Sequence, residues 1–60
     1  MIIIEGKNGR FIATRRKYAK LWVPVVVTPD GKRIALAHVS TSHQAASVAI
    51  NKAKTLAGII

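Results

Sequence analysis

The chain has 60 residues, half of them apolar, and sets ten Lys and Arg against two acids for a net charge of +8. The apolar half excludes a disordered basic tail. The absence of cysteine excludes disulfides and thiolate zinc sites, and the longest apolar run, Leu21 to Val27, is broken by Pro24 and too short to span a bilayer.

Met1 is followed at once by Ile2, Ile3, Ile4 and Glu5, with no basic segment and no cleavage site, so a cytoplasmic protein without a signal peptide is expected. Asn8-Gly9 is a strong short hairpin signal, because both residues accept the positive φ of a type I′ turn. That turn sets Lys7 opposite Arg10, Glu5 opposite Ile12 and Ile3 opposite Thr14, and predicts strands over 2–7 and 10–16. Tyr18-Ala19-Lys20 follows as a connection whose shape the residues leave open.

Leu21 to Thr28 is rich in valine and reads as a strand over 21–28. Thr28-Pro29-Asp30-Gly31-Lys32 then carries tight-turn chemistry, with Gly31 in the left-handed position of a bulge. The chain returns as a strand over 32–39. With Thr28 facing Lys32, Val26 faces Ile34, Val23 faces Ala37 and Trp22 faces His38. Pro24 lacks an N–H for the ladder, which calls for a nearby bulge or an edge location on one side of its strand.

Thr41 and Gln44 form a capping box at the start of a helix over 42–57. Ala45, Ala46, Ala49, Ile50, Ala53, Leu56 and Ala57 fall on one side of it, and Gly58 suits its left-handed end. The fold class is therefore α+β, a three- or four-stranded antiparallel meander packed on one carboxyl-terminal helix, with residues 1–60 as one small basic domain.

The alanine stripe matches the small residues Ala35, Ala37 and Val39 beside Val23, Val25 and Val27. The opposite face carries Trp22, Pro24, Val26, Ile34, Leu36 and His38. One helix covers one face, and a domain this small hides only about 60% of the surface its unfolded chain exposes. A homodimer using the surface around Val26, Ile34 and Leu36 is the expected supplement.

Six basic residues, Lys7, Arg10, Arg15, Arg16, Lys17 and Lys20, meet no acid between them, and Lys32 and Arg33 lie in the later turn. Such a density attracts polyanions through its field and through release of their counterions. These eight residues, with Tyr18 as an aromatic contact, are the candidate nucleic-acid-binding set. Trp22 and Phe11 read as core, and Lys52 and Lys54 as ordinary helix-surface charge. Ser40, Ser42, His43 and Asp30 are the residue types of a hydrolase triad, but His43 sits at the start of a helix beside capping residues and Asp30 is committed to a turn. No enzyme activity, metal or cofactor is expected.

Trp22-Val23-Pro24-Val25, then Pro29-Asp30-Gly31-Lys32-Arg33, then Thr41 through Ile50 resemble the AP2-like DNA-binding domains at the amino termini of phage and transposon tyrosine recombinases. The likeness covers residues 10–58. It implies a sheet face in the major groove with the helix packed behind it; recombinase chemistry is not carried over, since residues 1–60 hold no catalytic recombinase domain. Ile34-Ala35-Leu36-Ala37 is more apolar than a groove-facing strand of that family. The order of parts is also similar to the carboxyl half of a double-stranded-RNA-binding domain, without that family's first helix.

The expected function is binding of double-stranded DNA by the sheet side, in an accessory or regulatory role in a phage or mobile element. The rivals are a protein-interaction module, such as a small inhibitor docking an apolar sheet face on a host enzyme, and an RNA-binding protein. No membrane partner is expected.

Overall fold

The computed structural model describes residues 1–59. Among these the chain forms strands β1 (Ile2–Gly6), β2 (Gly9–Tyr18), β3 (Leu21–Val27) and β4 (Arg33–Ala35), followed by helix α1 (Ser42–Ala57). The strands make one antiparallel sheet in the order β1-β2-β3-β4, with α1 on one face. This is the expected α+β meander with a single covering helix. No helix among the described residues is long and apolar enough to cross a membrane.

The first hairpin differs from expectation by one residue. Gly6 faces Gly9 and Glu5 faces Arg10, so Lys7 and Asn8 are the turn residues, and of the two Asn8-Gly9 positions only Gly9 takes positive φ, at 115°. The reason lies at the far end of the chain. The Asn8 backbone N–H donates to Ala57 O and its Nδ2 to Leu56 O, both at 3.0 Å. Gly58 (φ 86°) ends α1 with a 3.2 Å bond from its N–H to Thr55 O, and Ile59 N–H donates to Lys54 O at 3.0 Å. A helix leaves its last four carbonyls without partners in the helix itself. Here the helix's own terminal turn takes two and Asn8 takes the other two. Gly6 allows this close approach, because a Cβ there would stand 2.3 Å from Ala57 O.

β2 runs on to Tyr18 and turns through Ala19-Lys20 straight into β3, with Tyr18 facing Leu21. At the third turn Thr28 N–H donates to Lys32 O at 2.9 Å and Gly31 N–H to Thr28 O at 2.9 Å, the expected arrangement. Val26 faces Ile34 as expected, but the register then slips. Trp22 and Val39 exchange two backbone bonds of 2.8 Å, so Val39 rather than His38 stands opposite Trp22. Between them Leu36 N–H donates to Pro24 O at 2.9 Å, and Pro24 has no N–H to return. The extra residue sits where proline leaves the ladder one bond short, which is where a bulge costs least.

Alternate residues of a strand point to opposite faces. Beneath α1 lie Phe11 and Ala13 of β2 and Val26 of β3, packed against Ala49, Ala53 and Ala57, with Ile4, Leu36, Ile50 and Leu56 around them. Ala45, Ala49, Ala53 and Ala57 have no exposure, and neither has Val26. The surface expected to receive a partner at Val26, Ile34 and Leu36 is thus the helix-covered face, and Val26 and Leu36 belong to the core. The other face carries Arg10, Arg16 and Arg33, whose burial under a helix would strip three charges of water. Charge, not the match of small residues, decides which face the helix takes.

At the start of α1, Gln44 N–H donates to Thr41 Oγ1 at 3.1 Å, which is one arm of the expected box. The other arm differs: Gln44 Oε1 accepts from the Ser40 hydroxyl at 2.9 Å and the Thr41 hydroxyl at 3.2 Å.

Candidate nucleic-acid interface

The face away from α1 is a sheet surface with an apolar floor and a cationic border. Counting alternate residues from the observed registers, β2 contributes Arg10, Ile12, Thr14, Arg16 and Tyr18 to it, β3 contributes Val23, Val25 and Val27, and β4 contributes Arg33 and Ala35. Ile12, Thr14, Val25, Val27 and Ala35 line an open concavity of about 640 Å³, with Arg16 and Arg33 also at its wall. Arginine stems cover apolar surface while the guanidinium stays in water.

Beyond the floor the β2–β3 hairpin continues as an arm. Every residue from Arg15 to Leu21 is exposed. Because Arg15, Arg16 and Lys17 are successive on one strand, they divide between the arm's two faces, Arg16 on the open side and Arg15 and Lys17 on the other. The Arg15 guanidinium carbon lies 5.9 Å from the centroid of the Trp22 ring, within the range of a cation–π contact. Lys20 occupies the tip beside Ala19, a non-glycine residue held at φ 56°. An L-residue in that region costs about 1–2 kcal/mol, so the tight two-residue turn is kept against its own local preference.

Tyr18 is 66% exposed at the outer end of the open face, and its ring centroid is 5.8 Å from that of His38 at an interplanar angle of 51°. Sequence reasoning placed His38 opposite Trp22. The bulge moves it to the face of Tyr18, and Pro24 was the residue that signalled the change.

The remaining members of the expected set are dispersed. Lys7 lies in the β1–β2 turn, where a Cβ on Gly58 would meet its side chain. Arg10 is on the open face but pairs with Glu5 at 3.6 Å, with both side chains well exposed. Lys32 sits in the β3–β4 turn next to Arg33, the first residue of β4. In that turn Thr28 Oγ1 donates to Asp30 Oδ1, and this bond holds the Asp30 carboxyl below its usual range. Arg10 is the basic side chain that has a carboxylate partner among the described residues. The structure therefore brings Arg16, Tyr18 and Arg33 onto one face with Arg10, gathers Arg15, Lys17 and Lys20 on the arm, and leaves Lys7 at the opposite end.

The chain matches no protein-family model, no curated protein and no solved structure.

Proposed function

We propose that this protein binds double-stranded DNA, laying its open sheet face and hairpin arm against the duplex while α1 supports the sheet from behind. The observation that carries the reading is the separation of charge from core. Arg10, Arg16 and Arg33 stand on the face left uncovered, and the exposed arm adds Arg15, Lys17 and Lys20. The strands β2, β3 and β4 together span roughly 10 Å between outer strands, taking about 4.8 Å per step. The major groove of B-DNA, about 12 Å wide, admits a two-stranded β-ribbon such as the β2–β3 arm, whereas the major groove of A-form RNA is deep and narrow. The lysines and arginines of the border, Arg16 and Arg33 at the wall of the floor among them, would hold phosphates. The likeness to AP2-like domains supports the same orientation and an accessory or regulatory role in a phage or mobile element.

The test is titration of the pure protein into duplex DNA, single-stranded DNA and duplex RNA over a range of salt. With about six phosphates neutralised, log affinity for duplex DNA should fall against log salt with a slope near −5. Tighter binding to duplex RNA would transfer the reading to RNA. No binding to any of the three at low salt would leave the apolar floor as a site for a protein partner.

A further inference from the structure

The two edges of the sheet are finished differently. β4 has three residues, begins with Arg33 and gives way after Ala35 to the bulge beside Pro24. Short length, charge and a bulge are the means by which sheets discourage pairing with another chain. β1 has no bulge, and Glu5 is its one charged side chain. Ile2–Gly6 is regular and contains neither Pro nor Lys, and Met1, Ile2 and Ile3 are 86%, 45% and 54% exposed. Along a strand the N–H and C=O of one residue point to the same side, and the side alternates. Counted from the closing pair Gly6 and Gly9, Ile2 and Ile4 bond inward to β2, so Ile3 and Glu5 offer their backbone groups outward.

Charge selects the occupant. Two copies of a chain of net charge +8 repel each other over most of their surface, and all ten Lys and Arg lie from Lys7 onward. β1 carries Glu5 and no basic side chain, so at this edge two copies meet without setting lysine or arginine against its like.

We propose that β1 pairs antiparallel with β1 of a second copy about a two-fold axis at Ile3, joining two four-stranded sheets into one of eight strands. This register places Ile3 opposite its own symmetry mate, Ile2 opposite Ile4 and Met1 opposite Glu5. The interface is self-complementary, as a two-fold contact must be. On the helix side Ile2 of each copy covers Ile4 of the other and extends the core. On the other side the two open faces become one continuous surface. The inference does not rest on nucleic-acid binding, and its test contains no nucleic acid.

Sedimentation equilibrium of the full chain at about 100 μM should give twice the 6.5 kDa mass of one chain. Ile3→Lys and Ile3→Glu should each sediment as monomers, because like charges directly opposite one another repel. An equimolar mixture of the two should regain the dimer mass, which damage to folding would not produce. In the unaltered protein, exchange of the Ile3 and Glu5 amide protons should slow as concentration rises. A monomeric wild type, variants that dimerise like wild type, a mixture that stays monomeric, or freely exchanging Ile3 and Glu5 amides at the same concentration would each overturn the proposal.

Discussion

Val25 and Val26 are neighbours on β3, and both are almost lost to solvent, at 6% and 0% exposure, for different reasons. Val26 lies under α1, among Ala49, Ala53, Ala57, Phe11 and Ala13. Val25 faces the side that no helix covers and is hidden by its strand neighbours, with Thr14 on one flank, Ala35 on the other and Arg16 and Arg33 around the same concavity. One face is closed by small residues at close range. The other is left open under exposed cations. The strand's period of two lets a single stretch of valine serve both, so the packed core and the cations Arg10, Arg16 and Arg33 lie on opposite sides of one sheet.

If the covered face is the structural one, damage there should be severe and should not depend on charge. Gly6→Ala is expected to have the largest effect, because the added Cβ would lie 2.3 Å from Ala57 O and 2.9 Å from Ala57 C, both backbone atoms. Relief requires the first hairpin to part from the end of α1 and Asn8 to release its two carbonyls. We expect a loss of about 3 kcal/mol or more, seen as a large fall in the urea midpoint. Ala49→Leu overpacks the middle of the stripe, where the exposure is 0%, and should cost about 1–3 kcal/mol. A near-neutral result for either variant would break the distinction between the two faces.

Much of this arrangement was legible in the sequence. The helix limits followed from Thr41 and Gly58, and the third turn from Pro29, Asp30 and Gly31, because these residues act on their own backbone. What escaped depended on partners distant in the chain. Asn8 reads locally as a turn residue at positive φ, but its hydrogen bonds go to Leu56 and Ala57, and the hairpin register follows from them. Pro24 announced a bulge without fixing its size, so the facing of His38 was wrong by one residue. The covered face was misjudged because matching side-chain volumes were weighed ahead of charge. The alternation of Arg10, Ile12, Thr14 and Arg16 against Phe11 and Ala13 already held the answer.

The smallest expected effect belongs to the β3–β4 turn. The Asp30 carboxyl is held below its unfolded value of 3.8 chiefly by the Thr28 hydroxyl. A depressed acid stabilises the fold only while ionised, so its contribution is complete above 3.8 and is lost as pH falls through the lower folded value. Asp30 is fully exposed, so only a slight decline in the urea midpoint is expected from it on acidification below pH 4. Asp30→Asn should remove that slight part of the acid dependence and leave duplex binding in place. A loss of binding with Asp30→Asn would mean that the turn orients Lys32 and Arg33 more tightly than the two-face account requires.

The most direct measurement compares two pairs of cations on opposite sides of the molecule. Arg16→Ala with Arg33→Ala strips the open face, and Lys52→Ala with Lys54→Ala strips α1, each pair carrying the same change in charge. Duplex DNA affinity should fall about tenfold or more for the arginine pair, with the salt slope flattened by about two, and should change less than about threefold for the lysine pair. Unfolding midpoints measured alongside should stay near wild type for both, as surface substitutions generally allow. The account is contradicted if the lysine pair loses binding while the arginine pair retains it, since α1 would then be the surface that meets the DNA.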